Sequence, residues 1–165
     1  YFLCFMIINM LYAVSSSISQ SLFAEGSYGE VKLSMLIKKS VKLLLFLLIP
    51  ASIALAFLGP YILSFFGEEY RIGGSKVIIL LSIFSPIIAM YNIGNTLLKI
   101  RRQMYSIVII NIIYASTICG LTLLWVNKGL EWVAISWIIG NFIAGILSFL
   151  MIYIYKHLPT PGEID

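Results

Sequence analysis

The side chains that could do chemistry inside the apolar parts of this chain are uncharged amides and hydroxyls. Four asparagines are the candidates for lining a cavity, namely Asn92, Asn95, Asn111 and Asn141. Hydroxyl groups accompany them at Tyr91, Thr96, Tyr114, Ser116 and Thr117, and a further polar group comprises Ser15, Ser16, Ser17, Ser19 and Gln20. Amides and hydroxyls both donate and accept hydrogen bonds, so they could hold water or a sugar. They could equally bond one helix to the next, at about 0.6 kcal/mol each. We favour the cavity most for Asn111 and Asn141, but both interpretations stay open from sequence alone.

Groups for covalent, acid–base or metal chemistry are scarce. The chain has no G-x-x-x-x-G-K-[ST], H-E-x-x-H or G-x-S-x-G motif. Its one histidine, His157, lies near the C-terminus, and its two cysteines, Cys4 and Cys119, lie within apolar runs. These residues cannot supply the several ligands that a metal site needs. We therefore predict that the chain is not an enzyme and binds no cofactor or metal.

The composition excludes most soluble classes. Hydrophobic residues make up 61% of the 165 residues and charged residues only 11%, and the mean hydropathy is +1.01. A soluble domain carries about 25% charged residues. The net charge of +4 comes from residues at the ends of apolar runs rather than from a basic patch, so a nucleic-acid partner is not expected. The composition is typical of a polytopic protein whose partner is the lipid bilayer.

Five uncharged apolar runs, each 22 to 25 residues long, set the expected architecture. They are residues 1–24, 43–67, 77–98, 103–127 and 132–155. A helix of that length spans a hydrocarbon core of about 30 Å. We therefore predict an all-α bundle of five transmembrane helices over residues 1–155, multi-pass in the cell membrane, followed by a tail at 156–165. Three prolines inside or beside these runs predict kinks, namely Pro50, Pro60 and Pro86, although Pro60 could instead begin a separate last turn.

The charges of the connections predict the orientation. Eight Lys and Arg residues fall in alternate connections and the tail on one side, and three fall on the other side. The positive-inside rule places the eight in the cytoplasm, so the first run starts outside and the C-terminal tail is cytoplasmic. Residues 28–42 mix lysines with apolar residues, which predicts an interfacial amphipathic helix that continues into the second span.

Two further patterns have competing interpretations. Five basic residues could pair with the diphosphate of an isoprenoid lipid, or could simply set topology and touch anionic headgroups; they are Lys38, Lys39, Lys42, Arg101 and Arg102. The fifth run has a small residue at every fourth position, which favours close helix packing; these are Ser136, Gly140, Ala144 and Ser148.

Three passages resemble one family of transporters. They are SQSLFAEGS at residues 19–27, KKSVK at 38–42 leading into LLIP at 47–50, and ILSFFGEEY at 62–70. In these passages, and in span order and orientation over nearly the whole chain, the sequence resembles the C-terminal lobe of oligosaccharide flippases. These belong to the polysaccharide branch of the multidrug/oligosaccharidyl-lipid/polysaccharide exporter superfamily.

The resemblance implies a function and a missing partner. In that family two six-helix lobes rock about a central cavity and move a lipid-linked oligosaccharide from the cytoplasmic to the outer leaflet. The chain would then be a fragment that lacks the N-terminal lobe and cannot transport alone. Two alternatives remain from sequence: a drug/cation antiporter of the same superfamily, whose intramembrane acid would lie elsewhere, and a non-transporting membrane scaffold subunit.

Overall fold

The computed structural model describes residues 2–28 and 33–154, and that part of the chain is helical without strands. Its α-helices are α1 (Phe2–Ser27), α2 (Leu33–Ser64), α3 (Glu68–Ile83), α4 (Ser85–Ile100), α5 (Met104–Trp125) and α6 (Leu130–Ile154). A 3₁₀ turn at Val126–Lys128 joins α5 to α6. The expected all-α bundle is therefore confirmed. The predicted tail at 156–165 and part of the predicted interfacial helix, including Lys32, lie outside the described residues.

Four of these helices, α1, α2, α5 and α6, are long and apolar enough to cross a membrane. Helices α3 and α4 meet that criterion only as a pair, and the pair is bent by 48°. If the pair forms one broken span, five helical segments can cross a bilayer. The fold is thus compatible with a membrane protein of four or five spans.

The third apolar run is not one continuous helix but two, broken at the kink that Pro86 predicted. Helix α3 ends at Ile83, Phe84 lies between, and α4 begins at Ser85 with Pro86 in its first turn. Proline has no N–H and its ring clashes with the preceding turn, so it fits the start of a helix better than its middle. Pro50 and Pro60, by contrast, both lie inside the continuous α2, so no separate turn begins at Pro60.

A buried pair of serines, Ser52 and Ser85, fastens the bend to α2. Their Oγ atoms are 2.6 Å apart, and Ser52 also donates to the carbonyl oxygen of Leu48 at 2.6 Å. Because the Ser52 proton is used within α2, Ser85 is the donor between the two hydroxyls. This serine pair satisfies two buried polar groups and holds the first turn of α4 against the middle of α2.

Helices α4 and α6 pack closely because small residues meet at their contact. A Cβ built on Gly94 would lie 2.6 Å from the Cβ of Ser148, and one built on Gly145 would lie 3.7 Å from the backbone nitrogen of Tyr91. The small residues predicted to promote packing are all buried; they are Ser136, Gly140, Ala144 and Ser148. Ser148 lies against Gly94 of α4, whereas Gly140 faces Ile118 and Tyr114 of α5, so this stripe packs α6 against both neighbours.

The connections predicted to lie on the outer side of the membrane carry polar contacts. Gly67 turns the chain from α2 to α3 with φ of +129°, a conformation that favours glycine. Lys76 and Glu131 form an exposed ion pair of 3.0 Å between α3 and α6. The rings of Trp125 and Trp132 meet edge to face with their centroids 5.2 Å apart. These contacts tie the ends of α3, α5 and α6 together.

Candidate polar cleft between α1 and α4

A polar cleft of about 270 Å³ opens between the C-terminal halves of α1 and α4. Its lining residues are Ser16, Ser19, Gln20, Phe23, Asn92, Asn95, Thr96 and Lys99. The opposite face of α4 forms with α6 a larger groove of about 420 Å³ whose walls are almost entirely apolar. The hydrogen-bonding side chains around α4 are therefore concentrated on the side that faces α1.

The spacing of the lining residues explains why they share one cleft. On α1 they stand at positions i, i+3, i+4 and i+7 counted from Ser16, and on α4 at the same spacing counted from Asn92. Residues with this spacing lie on one face of a helix. Two polar faces of equal length therefore meet in register, and both run toward the bundle end that the sequence predicts to be cytoplasmic.

The α1 wall contains a buried hydroxyl without a protein partner. Ser19 is only 5% exposed, and its Oγ makes no hydrogen bond within the described residues. Its neighbours differ, because Ser15 accepts a hydrogen bond of 3.2 Å from the Asn92 amide, and Ser17 donates to Ala13 of its own helix at 2.8 Å. Buried polar groups are normally paired, so an orphaned hydroxyl in a cleft indicates a place for water or a ligand.

On the α4 wall, hydrogen bonds outside the cleft fix the orientation of the Asn95 amide. The Asn95 amide nitrogen donates to the Tyr91 hydroxyl at 3.4 Å, and that hydroxyl donates to Asn111 Oδ1 at 2.7 Å. The ring of Tyr91 stacks on that of Tyr114, with centroids 5.3 Å apart. Because its nitrogen is held by Tyr91, Asn95 leaves Oδ1, which is buried and unpaired within the described part of the chain, as a hydrogen-bond acceptor.

Lys99 gives the cleft a positive charge at its end. No aspartate or glutamate is among the lining residues. The ion pairs found within residues 2–28 and 33–154 belong to other basic residues, Lys39, Arg71 and Lys76, so Lys99 has no carboxylate partner there. The cleft therefore combines neutral acceptors, the aromatic ring of Phe23 and one ammonium group.

The four predicted cavity asparagines separate into three positions. Asn92 and Asn95 line the cleft. Asn111 is exposed on α5 and reaches the cleft only through Tyr91. Asn141 is buried in α6 outside the cleft lining, where it donates to the Trp137 carbonyl of the previous turn at 2.8 Å and hydrogen-bonds the side chain of Tyr114 on α5.

The five predicted phosphate contacts gather at the same end of the bundle but outside the cleft. Lys38, Lys39 and Lys42 are exposed near the start of α2, and Lys39 lies 3.8 Å from Glu25. Arg101 and Arg102 follow α4, and Arg102 is exposed with a φ of +56°. The basic residue that does line the cleft, Lys99, was assigned from sequence only to topology. Its spacing of four and seven residues from Asn95 and Asn92 was the signal that could have identified it.

The fold and this cleft define a class, an all-helical bundle with four or five helices fit to cross a membrane and a polar cleft between two of them. No group of three metal-binding side chains occurs in the described ranges. No family model, no curated protein and no solved structure matches this chain. Function must therefore be argued from the cleft itself.

Proposed function

We propose that this chain is part of a membrane transporter that moves a lipid-linked oligosaccharide, an isoprenoid diphosphate glycan, across the cell membrane by alternating access. The observation that carries the proposal is the polar cleft between α1 and α4 inside an otherwise apolar bundle. Polar side chains are costly within a bilayer unless they are paired or line a cavity. Within the described residues, Ser19 and Asn95 keep oxygens at the cleft without hydrogen-bond partners, as a cavity for a hydroxyl-rich ligand requires.

The character of the lining fits a glycan. Amide and hydroxyl groups match sugar hydroxyls in hydrogen bonding, and Phe23 supplies an apolar surface on which a sugar ring could pack. No carboxylate is among the residues that line the cleft.

The bend between α3 and α4 also supports a transporter. Broken helices are typical of transporters, where they help to form the substrate site. Helix α4 carries one wall of the cleft and begins at the bend, where the serine pair joins it to α2. In the transporter family that this sequence resembles, the second lobe would face this cleft.

The basic residues at the predicted cytoplasmic end, Lys38, Lys39, Lys42, Arg101 and Arg102, are proposed to contact the diphosphate or anionic headgroups. Their position beside the mouth of the cleft would keep the charged junction of the substrate at the membrane surface.

The test is a flipping assay on the complete open reading frame that contains these codons. The protein is reconstituted in vesicles with a fluorescent isoprenoid-diphosphate glycan, and the fraction of glycan reachable by an external glycosidase is followed with time. We expect faster exposure than in protein-free vesicles, and a loss of most of that gain in Asn95→Leu but not in Ser17→Ala. Exposure at the protein-free rate, in protein shown to be folded by circular dichroism, contradicts the proposal.

A further inference from the structure

The cleft has a polarity along its length that predicts the chemistry and orientation of its ligand. Its inner part, around Ser19 and Asn95, displays buried oxygens that lack partners within the described residues. Its outer part ends at Lys99, which forms no ion pair within that same part of the chain. Oxygen acceptors pair with hydroxyl donors, and an ammonium group pairs with an anion.

We propose that the cleft binds a single anionic sugar unit, with its hydroxyls between Ser19 and Asn95 and its carboxylate or phosphate on Lys99. This inference deepens the proposed function by naming the charge and size of the sugar that the transporter selects. Lys99 is the specificity-determining residue, and it distinguishes an acidic sugar from a neutral one.

The size of the cleft limits the ligand to about one ring. A volume of about 270 Å³ lies just below the ~300–1,000 Å³ of ordinary small-molecule pockets. A whole oligosaccharide does not fit, whereas one sugar does. The remaining units of a glycan would then extend beyond Lys99, past the exposed start of α2.

The acceptor wall is held in place rather than adjustable. The Asn95 amide nitrogen bonds to Tyr91, which is hydrogen-bonded to Asn111 and stacked on Tyr114. On the other wall, Asn92 is bonded to Ser15. A preorganised wall of this kind favours a defined ring orientation, because few rotamers are lost when the ligand binds.

Equilibrium binding tests this inference without requiring transport. The full chain is placed in nanodiscs of neutral lipid, and saturation-transfer NMR measures the affinities of glucuronate, glucose 1-phosphate and glucose, with inorganic phosphate as a competitor. We expect both anionic sugars to bind about tenfold more tightly than glucose, the gain of one charge-assisted hydrogen bond. We expect inorganic phosphate to compete only weakly.

Matched variants assign the effect to named residues. Lys99→Met should remove the preference for the anionic sugars and leave glucose unchanged, Lys99→Arg should keep it, and Lys38→Met, an exposed lysine outside the cleft, should have no effect. Ser19→Ala should weaken the binding of all three sugars, whereas Ser17→Ala should leave their binding unchanged. Circular dichroism of each variant establishes that it is folded.

Three results would overturn the inference: equal affinity for glucose and glucuronate, loss of the preference in Lys38→Met as well as Lys99→Met, or phosphate competing as strongly as glucose 1-phosphate. The last result would identify a phosphate site rather than a sugar site. Binding of anionic sugars without flipping would leave this inference standing and refute the transport proposal. Flipping without any charge preference would refute this inference and leave the transport proposal standing.

Discussion

Adding one methyl group at Gly94 should push α4 away from α6. The new Cβ would lie 2.6 Å from the Cβ of Ser148, whereas carbon atoms pack best at about 3.5–4.0 Å. The neighbouring atom is a Cβ on a helix rather than the end of a flexible side chain, so it cannot rotate away. The two helices must separate by roughly 1 Å at this point.

The expected cost of Gly94→Ala follows from two opposing terms. Overpacking of this kind costs about 1–3 kcal/mol, and replacing glycine by alanine inside a helix returns up to about 1 kcal/mol. These two terms leave a net loss of about 0–3 kcal/mol in the free energy of unfolding. Gly120→Ala is the control, because nothing lies within 4 Å of a Cβ built there, so it should be neutral or stabilising.

Unfolding of the chain in mixed micelles, followed by circular dichroism as sodium dodecyl sulfate is added, measures this difference. The Ser148→Gly change removes the opposing Cβ, so the Gly94→Ala and Ser148→Gly double variant should lose less stability than the sum of the two single variants. If the two changes simply add, so that Ser148→Gly restores none of the stability lost in Gly94→Ala, the close contact between α4 and α6 is refuted.

Three further experiments probe the bend, the orientation and the outer end of the bundle. Ser85→Ala removes the donor of the serine pair and should cost about 0.5–1.5 kcal/mol of unfolding free energy in the same titration; an unchanged midpoint contradicts the buried bond. In a chain without other reactive cysteines, Lys39→Cys should react with a membrane-impermeant maleimide added from the cytoplasmic side, and Lys128→Cys should react when it is added from the outside. The reverse pattern contradicts the predicted topology. The Arg71 guanidinium, hydrogen-bonded to Glu68 through Nε at 2.8 Å, lowers the pKa of that exposed carboxyl. The ionised pair therefore stabilises the fold above the unfolded pKa of Glu68, and this contribution disappears as the pH falls through the folded pKa. Arg71→Met should raise the pKa of Glu68 toward about 4.3, as ¹³C NMR of the carboxyl can measure, and an unchanged pKa contradicts the pairing.

The helical bundle was predictable because its signal is strong and local. Long apolar runs separated by charged connections leave the backbone few ways to satisfy its hydrogen bonds other than helices. The bend at Phe84 was predictable only in part. Pro86 predicted a kink there, but Pro50 and Pro60 predicted kinks on the same grounds, and α2 is continuous through both of them. The tertiary context decides, and the bond between Ser52 and Ser85 is part of that context.

The site was predictable only in part, since composition does not say which way a polar side chain faces. Asn92 bonds to Ser15 of α1 and Asn95 lines the same cleft, but Asn141 bonds to Trp137 of its own helix and to Tyr114 of α5. Which helices become neighbours is a property of the whole fold, and α1 and α4 are far apart in the chain. The matching polar faces of α1 and α4, at positions i, i+3, i+4 and i+7, were visible in the sequence. The sequence did not show that these two faces pack against each other.

The most direct test asks whether the cleft is a wet cavity or a dry contact between helices. Ser19→Cys and Asn95→Cys are introduced singly into a background with Cys4→Ala and Cys119→Ser, alongside Ser148→Cys in the packed contact between α4 and α6. Each variant is exposed to a membrane-impermeant thiol reagent in inverted membrane vesicles, which present the cytoplasmic face. Our account predicts labelling at positions 19 and 95, and none at 148. Equal protection of all three positions would contradict it, because the polar residues would then serve only to hold the helices together.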